Sequence, residues 1–422
     1  MKCDAMKKAL CAVLVLLCLI GSARASVAVN SAGIGLLFDD NGTLLSMPGR
    51  YSRVDALADT GLFACTVAES GLIALAGADG IELTGDIYEA AISEGGYLLL
   101  CREGKWALAD REIDFLSGRD FTRITAAAEG RFVAFRTSLY DDMADSIYLL
   151  LPDGRTLPAG VSIRCADGLK YSEGLAPAVS ASSGKKGYLD ENGNWAVLPK
   201  LDFAGDFCLG LAAAGTETGM GLVDIGGLWV LEPFFDSVQL NERYVLTAQG
   251  GERVLYVRQE ERLIPIALPT CRYASLTGCC AVLYTQDGAQ LWNGGGKAAD
   301  FAPDVTLFPG DEGHVLIAEN GEMSIYDVTD GSMAGPYEYV TRLKNSAYYR
   351  VRTQTENGFA FGLVDAQGSE LIKPVWQTLY APKPGLIAAG DEQRIRLYSC
   401  TDEGCDLLCE YEIGSFDEEF GG

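Results

Sequence analysis

Short apolar runs of four to seven residues, each closed by an Asp/Asn/Gly turn, recur along the chain. The clearest copies read Gly187-Tyr188-Leu189-Asp190-Glu191-Asn192-Gly193, Gly221-Leu222-Val223-Asp224-Ile225-Gly226-Gly227 and Gly362-Leu363-Val364-Asp365-Ala366-Gln367-Gly368. Aligned on the residue after the first glycine, the copies fall at Leu36, Ile73, Ala107, Tyr148, Tyr188, Leu222, Leu255, Leu291, Ile325, Leu363 and Leu397, spaced by 33 to 41 residues. A period in this range marks stacked supersecondary units. Runs this short, rich in β-branched and aromatic residues, favour strands. No window of twelve residues after the N-terminal segment shows a capped helical period. The pattern therefore predicts an all-β repeat protein of about eleven hairpin units, each of three to four strands.

Residues 186–216 illustrate the expected unit. Lys186 to Asp190 reads as a strand, residues 191–194 as a turn, and Trp195 to Leu198 as a second strand stopped by Pro199. Phe203 to Phe207 reads as a short or irregular third element, and Leu209 to Ala214 as the last strand of the unit. Pro199, Pro233, Pro336 and Pro374 each lie eleven residues after their anchor, and Pro48, Pro158, Pro265 and Pro303 ten to twelve after theirs. Proline lacks an N–H, so this shared place predicts a strand end or bend. The last strand is rich in small side chains, as in Gly210-Leu211-Ala212-Ala213-Ala214 and Gly385-Leu386-Ile387-Ala388-Ala389. Small residues suit the crowded axis of a ring of sheets, which points to a β-propeller, as one large or two smaller rings. An open β-solenoid is the rival arrangement.

Composition adds an address. Lys2, Lys7 and Lys8 precede an apolar stretch from Ala9 to Ile20, and Ala23-Arg24-Ala25 follows as a cleavage site. Residues 1–25 thus read as a secretory signal peptide, the repeat array as 26–414, and the acidic end, 415–422, as a flexible tail. No later stretch holds eighteen uninterrupted apolar residues, so stable membrane insertion is not expected after cleavage. The formal charge of −25 becomes −28 without residues 1–25, which leave 29 basic and 57 acidic side chains. Such a surface repels phosphate backbones and argues against nucleic acid as a partner.

Ten cysteines remain in 26–422: Cys65, Cys101, Cys165, Cys208, Cys271, Cys279, Cys280, Cys400, Cys405 and Cys409. Most sit among apolar neighbours and read as small core residues. Cys400, Cys405 and Cys409 form the one cluster, suited to a terminal disulfide. Zinc would need a fourth ligand, and the spacing is not that of a CxxC pair.

At this point the residues carry a likeness. Tyr171-Ser172-Glu173-Gly174-Leu175-Ala176-Pro177, followed by Gly184-Lys185-Lys186-Gly187-Tyr188-Leu189-Asp190-Glu191-Asn192-Gly193-Asn194-Trp195-Ala196-Val197-Leu198-Pro199, resembles the WG-containing (KWG-type) repeat of bacterial proteins. The likeness is close over 171–236 and 358–376 and loose elsewhere. The eponymous Trp-Gly pair is absent, with Lys105-Trp106 and Gly227-Leu228-Trp229 as its nearest echoes. The resemblance implies an extracytoplasmic bacterial protein of β-hairpin units and brings no catalytic residues with it.

Candidate chemistry is sparse. His314 is the single histidine, and no G-x-S-x-G, P-loop or H-E-x-x-H pattern accompanies it. Asp39-Asp40, Asp141-Asp142, Asp311-Glu312 and Glu418-Glu419 are carboxylate pairs, but neighbours in a strand point to opposite faces and so do not converge. Calcium is the cation that turns such as Asp39-Asp40-Asn41-Gly42 and Asp190-Glu191-Asn192-Gly193 would suit, yet neither completes a twelve-residue loop with a distal Glu. Tyr337-Glu338-Tyr339 and Tyr348-Tyr349 are the aromatic runs that would suit a sugar or a peptide. No catalytic, cofactor-binding or metal-ligating residue is assigned. The expectation is a noncatalytic, exported binding or scaffold module for a protein, peptide or glycan at the bacterial cell envelope. A propeller-type carbohydrate-active enzyme and a purely structural spacer are the alternatives.

Overall fold

The computed structural model describes residues 25–31, 33–126, 130–137, 145–158, 169–180, 182–259, 262–310, 313–344, 346–356, 358–401 and 404–413. The expected signal peptide up to residue 24, the acidic tail and Cys165 lie outside them, as do the pairs Asp141-Asp142, Asp311-Glu312 and Glu418-Glu419. Among the described residues every regular element is a strand, and all paired strands run antiparallel. The strands form ten sheets arranged in a ring, a β-propeller. Seven sheets hold four strands in simple sequential order; those at 90–109 and 176–201 hold three, and the sheet at 25–76 holds five.

Eleven sequence copies occupy ten sheets because the first sheet carries two of them. Its strands Ile34–Asp39 and Tyr51–Leu57 are joined through one paired position, Gly35 opposite Tyr51. The ring closes where this sheet meets the last one. Val27, Val29, Leu36 and Phe38 share a core with Leu386, Ala388, Ile395 and Leu397. The Asn30 N–H donates to the Tyr380 hydroxyl at 2.6 Å, and Asp40 pairs with Lys383.

The core is a set of slabs between successive sheets. Tyr188, Val197 and Leu201 of one sheet pack against Ala204, Phe207, Ala212, Ala214 and Val223 of the next. Each sheet therefore buries both faces, which explains the near-continuous apolar runs of its middle strands. The small-residue strand is the second strand of its sheet rather than the one at the axis. Leu211–Thr216 lies between Phe203–Cys208 and Gly219–Asp224, and Ala212, Ala213 and Ala214 are all buried against the flanking sheets. Small side chains are needed there because two blades approach from both sides.

The proline marker has a related cause. Pro199, Pro233, Pro265, Pro336 and Pro374 all lie within the last strand of their sheet, such as Trp195–Leu201 and Trp229–Phe235. Pro199 does not stop its strand; it sits in a bulge. Leu222 pairs with Leu231 and Met220 with Phe235, so residues 232–234 bulge around Pro233. An open edge needs no donor, and proline with a bulge keeps that edge from pairing with another chain. The bulge presses on the facing strand at the repeat glycine. A Cβ on Gly187 would lie 2.3 Å from the Val197 carbonyl oxygen, on Gly221 2.4 Å from that of Leu231, and on Gly362 2.7 Å from that of Ile372. Glycine and proline thus mark one steric contact, seen from its two strands.

Candidate functional site

The recurrent turn aspartates come first, because they are the commonest potential ligands. Asp39 Oδ1 accepts the N–H groups of Asn41 and Thr43 at 2.9 and 2.7 Å, and Asp190 Oδ1 those of Asn192 and Asn194 at 2.9 and 2.8 Å. Asp224 binds Gly226 and Leu228, and Asp365 binds Gln367 and Ser369, in the same way. Each carboxylate closes its own hairpin turn, with a left-handed glycine such as Gly227 (φ 76°) behind it. Glu173, the acidic residue of the E-G-L-A motif, reaches across the blade boundary to the N–H groups of Leu209 and Gly210. Tyr188 donates from its buried hydroxyl to the Gly205 carbonyl at 2.9 Å, again between blades. The acidic and aromatic residues of the repeat motif are thereby engaged in holding turns and neighbours together.

His314 opens the strand His314–Glu319 and lies opposite Asp327. Its Nε2 is 3.5 Å from Asp327 Oδ2, and its ring stands edge-on to Tyr349 at 6.2 Å. Asp327 also accepts the Thr329 N–H at 2.6 Å, so it belongs to a turn. Cys400 and Cys405 form a disulfide across the last hairpin. Cys65, Cys101, Cys208, Cys271, Cys279, Cys280 and Cys409 are free thiols, mostly buried. Burial raises the pKa of Cys65 to about 12, and it raises that of Cys101 in the same direction, which keeps both thiols protonated and inert. Among the described residues no cluster of three His, Cys, Asp or Glu side chains has metal-binding geometry.

The aromatic runs divide. Tyr349 is fully buried, and Tyr348 donates to the Thr401 carbonyl at 2.9 Å. Tyr339 is 39 % exposed. Strand register places Tyr339 opposite Arg352, Arg352 opposite Phe361, and Gln354 opposite Phe359, so these side chains share one face of their sheet. The Arg352 guanidinium lies 5.1 Å from the Tyr339 ring centre and 4.2 Å from that of Phe359, and Arg350 lies 4.8 Å from Phe361. Glu338 steadies Arg352 at 3.5 Å. Phe359, 48 % exposed, also walls a 400 Å³ cleft with Thr355, Val375, Asp391, Glu392 and Gln393. Asp391 already caps its own turn through the N–H groups of Gln393 and Arg394. A ladder of aromatic rings and guanidinium planes beside amide and carboxylate groups can hold a sugar ring or a peptide side chain. Sequence reading pointed to Tyr339 and missed Arg352 and Phe359, which reach it only through strand pairing.

No curated protein matches the chain by sequence. Among solved structures, a eukaryotic initiation factor aligns at 12% identity and a TM-score of 0.42, over 76% of this chain and 98% of that one. PorZ, a surface component of the type-IX secretion system of Porphyromonas gingivalis, aligns at 12% identity and a TM-score of 0.26, over 77% of this chain but 45% of its own. AztD of Citrobacter koseri aligns at 11% identity and a TM-score of 0.24, over 74% and 93%. The model of the WG containing repeat matches residues 187–214. That segment starts in the second strand of one sheet and ends in the second strand of the next, so the unit of sequence straddles two blades. In residues 187–214 the chain carries a WG-containing repeat, built into a β-propeller of ten sheets.

Proposed function

We propose that the protein is a noncatalytic recognition or scaffold module, exported to the bacterial cell envelope, that binds a glycan, peptide or protein. The observation that carries this reading is the contrast between engaged carboxylates and the open aromatic ladder. Asp39, Asp190, Asp224 and Asp365 serve their turns, while Tyr339 and Phe359 present ring surface on either side of Arg352. Repeat folds of this kind offer broad surfaces without one chemical centre. The basic n-region, apolar core and Ala-x-Ala site of residues 1–25 support export.

A glycan and peptide array probed with residues 26–422 tests the reading. Selective retention of one ligand class, lost in Phe359→Ala, is the expected result. Turnover of any glycan would replace this reading with the carbohydrate-active enzyme, and an array blank across both classes would leave the spacer.

A further inference from the structure

A second surface, on the sheet at 90–109, differs in chemistry from the ladder. The hairpin of Tyr97–Arg102 and Lys105–Ala109 pairs Leu100 with Ala107 and Arg102 with Lys105, so all four side chains share one face. That face floors a 610 Å³ cleft whose walls are Ile87 and Tyr88 on one side and Phe115 and Arg119 on the other. The volume falls in the roughly 300–1,000 Å³ range of small-molecule sites.

The cleft exists because the third repeat copy departs from the pattern. The turn in which the Asp110 N–H donates to Asp114 O corresponds to those in which Asp190 bonds to Asn194, Asp224 to Leu228 and Asp365 to Ser369. This equivalence shifts the register of the third copy by one: Leu108, not Ala107, matches Tyr188, Leu222 and Leu363. Ala107 then stands where Gly187, Gly221 and Gly362 stand. A Cβ at that place would strike a normal outer strand. Here residues 110–121 form no strand: they meet the hairpin at the bridges Ala109–Phe115 and Trp106–Phe121 and at Leu108, whose N–H donates to Ser117 Oγ at 2.9 Å and whose carbonyl accepts from Leu116 and Ser117. With a ladder strand replaced by these few contacts, Arg102 and Lys105 stay exposed at the rim, over a floor where Leu100 and Ala107 are buried.

The lining sets Arg102, Lys105 and Arg119 against one carboxylate, Glu103, and so is net cationic in a chain of −25. Arg102 pairs at 3.5 Å with Glu103, itself 82 % exposed. Arg119 lies over the Phe115 ring at 4.5 Å. Among the described residues neither Lys105 nor Arg119 makes an ion pair, and the Tyr88 hydroxyl makes no hydrogen bond. Tyr88 is 4 % exposed; burial raises its pKa, while the nearby charges of Arg102 and Arg119 pull the other way. Ile87 and Phe115 remain 36 % and 38 % exposed, beside these donors.

We propose that the cleft bounded by Ile87, Tyr88, Arg102, Lys105, Phe115 and Arg119 binds an organic anion, a carboxylate carried on an aromatic or branched apolar body. The cations and the phenol face the carboxylate, and Ile87 and Phe115 cover the body. Charge-assisted donors of this kind are the strong ones, and arginine adds planar recognition of a carboxylate. The same chemistry occurs in a free aromatic acid and at a peptide C-terminus. The inference is independent of the ladder, which lies on the sheet at 339–376.

Titration calorimetry of residues 26–422 with phenylacetate and with N-acetylphenylalanine, each against its neutral amide, tests it. At least one acid should bind about tenfold or more tighter than its amide, and Lys105→Gln with Arg119→Gln should weaken it by a similar factor. Tyr88→Phe should weaken it about threefold. Binding of N-acetylphenylalanine alone would assign the anion to a peptide terminus. Equal affinity for acid and amide, undiminished binding in the double variant with an unchanged melting temperature, or no heat from either acid would overturn the proposal. Phe359→Ala serves as the control and should leave this binding unchanged even where it abolishes retention on the array.

Discussion

Set the blade at 203–235 beside the one at 90–121. Both follow the same plan of hairpin, Asp-capped turn and outer segment, and they differ at a few side chains. In the first, Gly221 lets the outer strand Trp229–Phe235 lie against the hairpin, and Gly227 occupies the left-handed turn position at φ 76°. In the second, Ala107 fills the glycine site and Ile113 is held at φ 69°. The outer segment withdraws and a cationic cleft opens. A regular repeat spends its residues on closure; a drifted one loses a strand and gains a surface.

The largest effect should come from forcing the first blade toward the second. Gly221→Val places Cβ 2.4 Å from the Leu231 oxygen and should destabilise by about 3 kcal/mol, seen as a lower urea midpoint. The reciprocal Ala107→Gly should cost no more than about 1 kcal/mol, since it removes one buried methyl group and relieves no clash. Equal losses from the two would break the comparison.

Next comes the turn. Asp224→Ala removes the acceptor of the solvent-facing Gly226 and Leu228 N–H groups and should cost about 1 kcal/mol. Hydrogen exchange should accelerate at those two amides while the turn at Asp365 keeps its protection. Tyr188→Phe should follow, at about 1 kcal/mol, through the orphaned Gly205 carbonyl.

The second sequence copy supplies a pH test. There Glu82 accepts from Arg50 at 3.0 Å and from the Tyr51 hydroxyl at 2.6 Å, a polar clamp where regular copies use glycine against a bulge. The Arg50 hydrogen bond, followed by that of Tyr51, outweighs burial and holds the Glu82 pKa below its ordinary value. A carboxyl with a depressed folded pKa contributes stability above its unfolded pKa and loses it as pH falls through the folded one. Wild type should therefore lose more stability than Glu82→Gln as pH drops below about 4. Thermal melts of both proteins between neutral and acid pH check this smallest effect.

Much of this architecture was legible in advance. The strand length, the turn chemistry and the period of 33 to 41 residues are local properties, and they led to an all-β ring. Pro233 and Gly221 were visible as markers, though not as two sides of one contact. The phase of the unit was misread, because the chain leaves one sheet after Phe235 and enters the next at Ser237 with scarcely a turn between them. The small-residue strand was placed at the axis for the same reason. Of the candidate surfaces, Tyr339 could be singled out from its sequence neighbours. Arg352, Phe359 and the Arg102–Lys105–Arg119 cleft could not, since pairing across strands and the retreat of a neighbouring segment bring them together.

By itself the sequence determined the repeating unit, its strands and its turns, because these depend on alternation, on glycine at positive φ and on aspartate binding its own backbone within four residues. Only the tertiary structure decided which strands share a sheet, how eleven copies fill ten blades, and where the surface stays open. Those outcomes depend on packing between residues some thirty-five positions apart and on whether a single Cβ leaves room for the next strand.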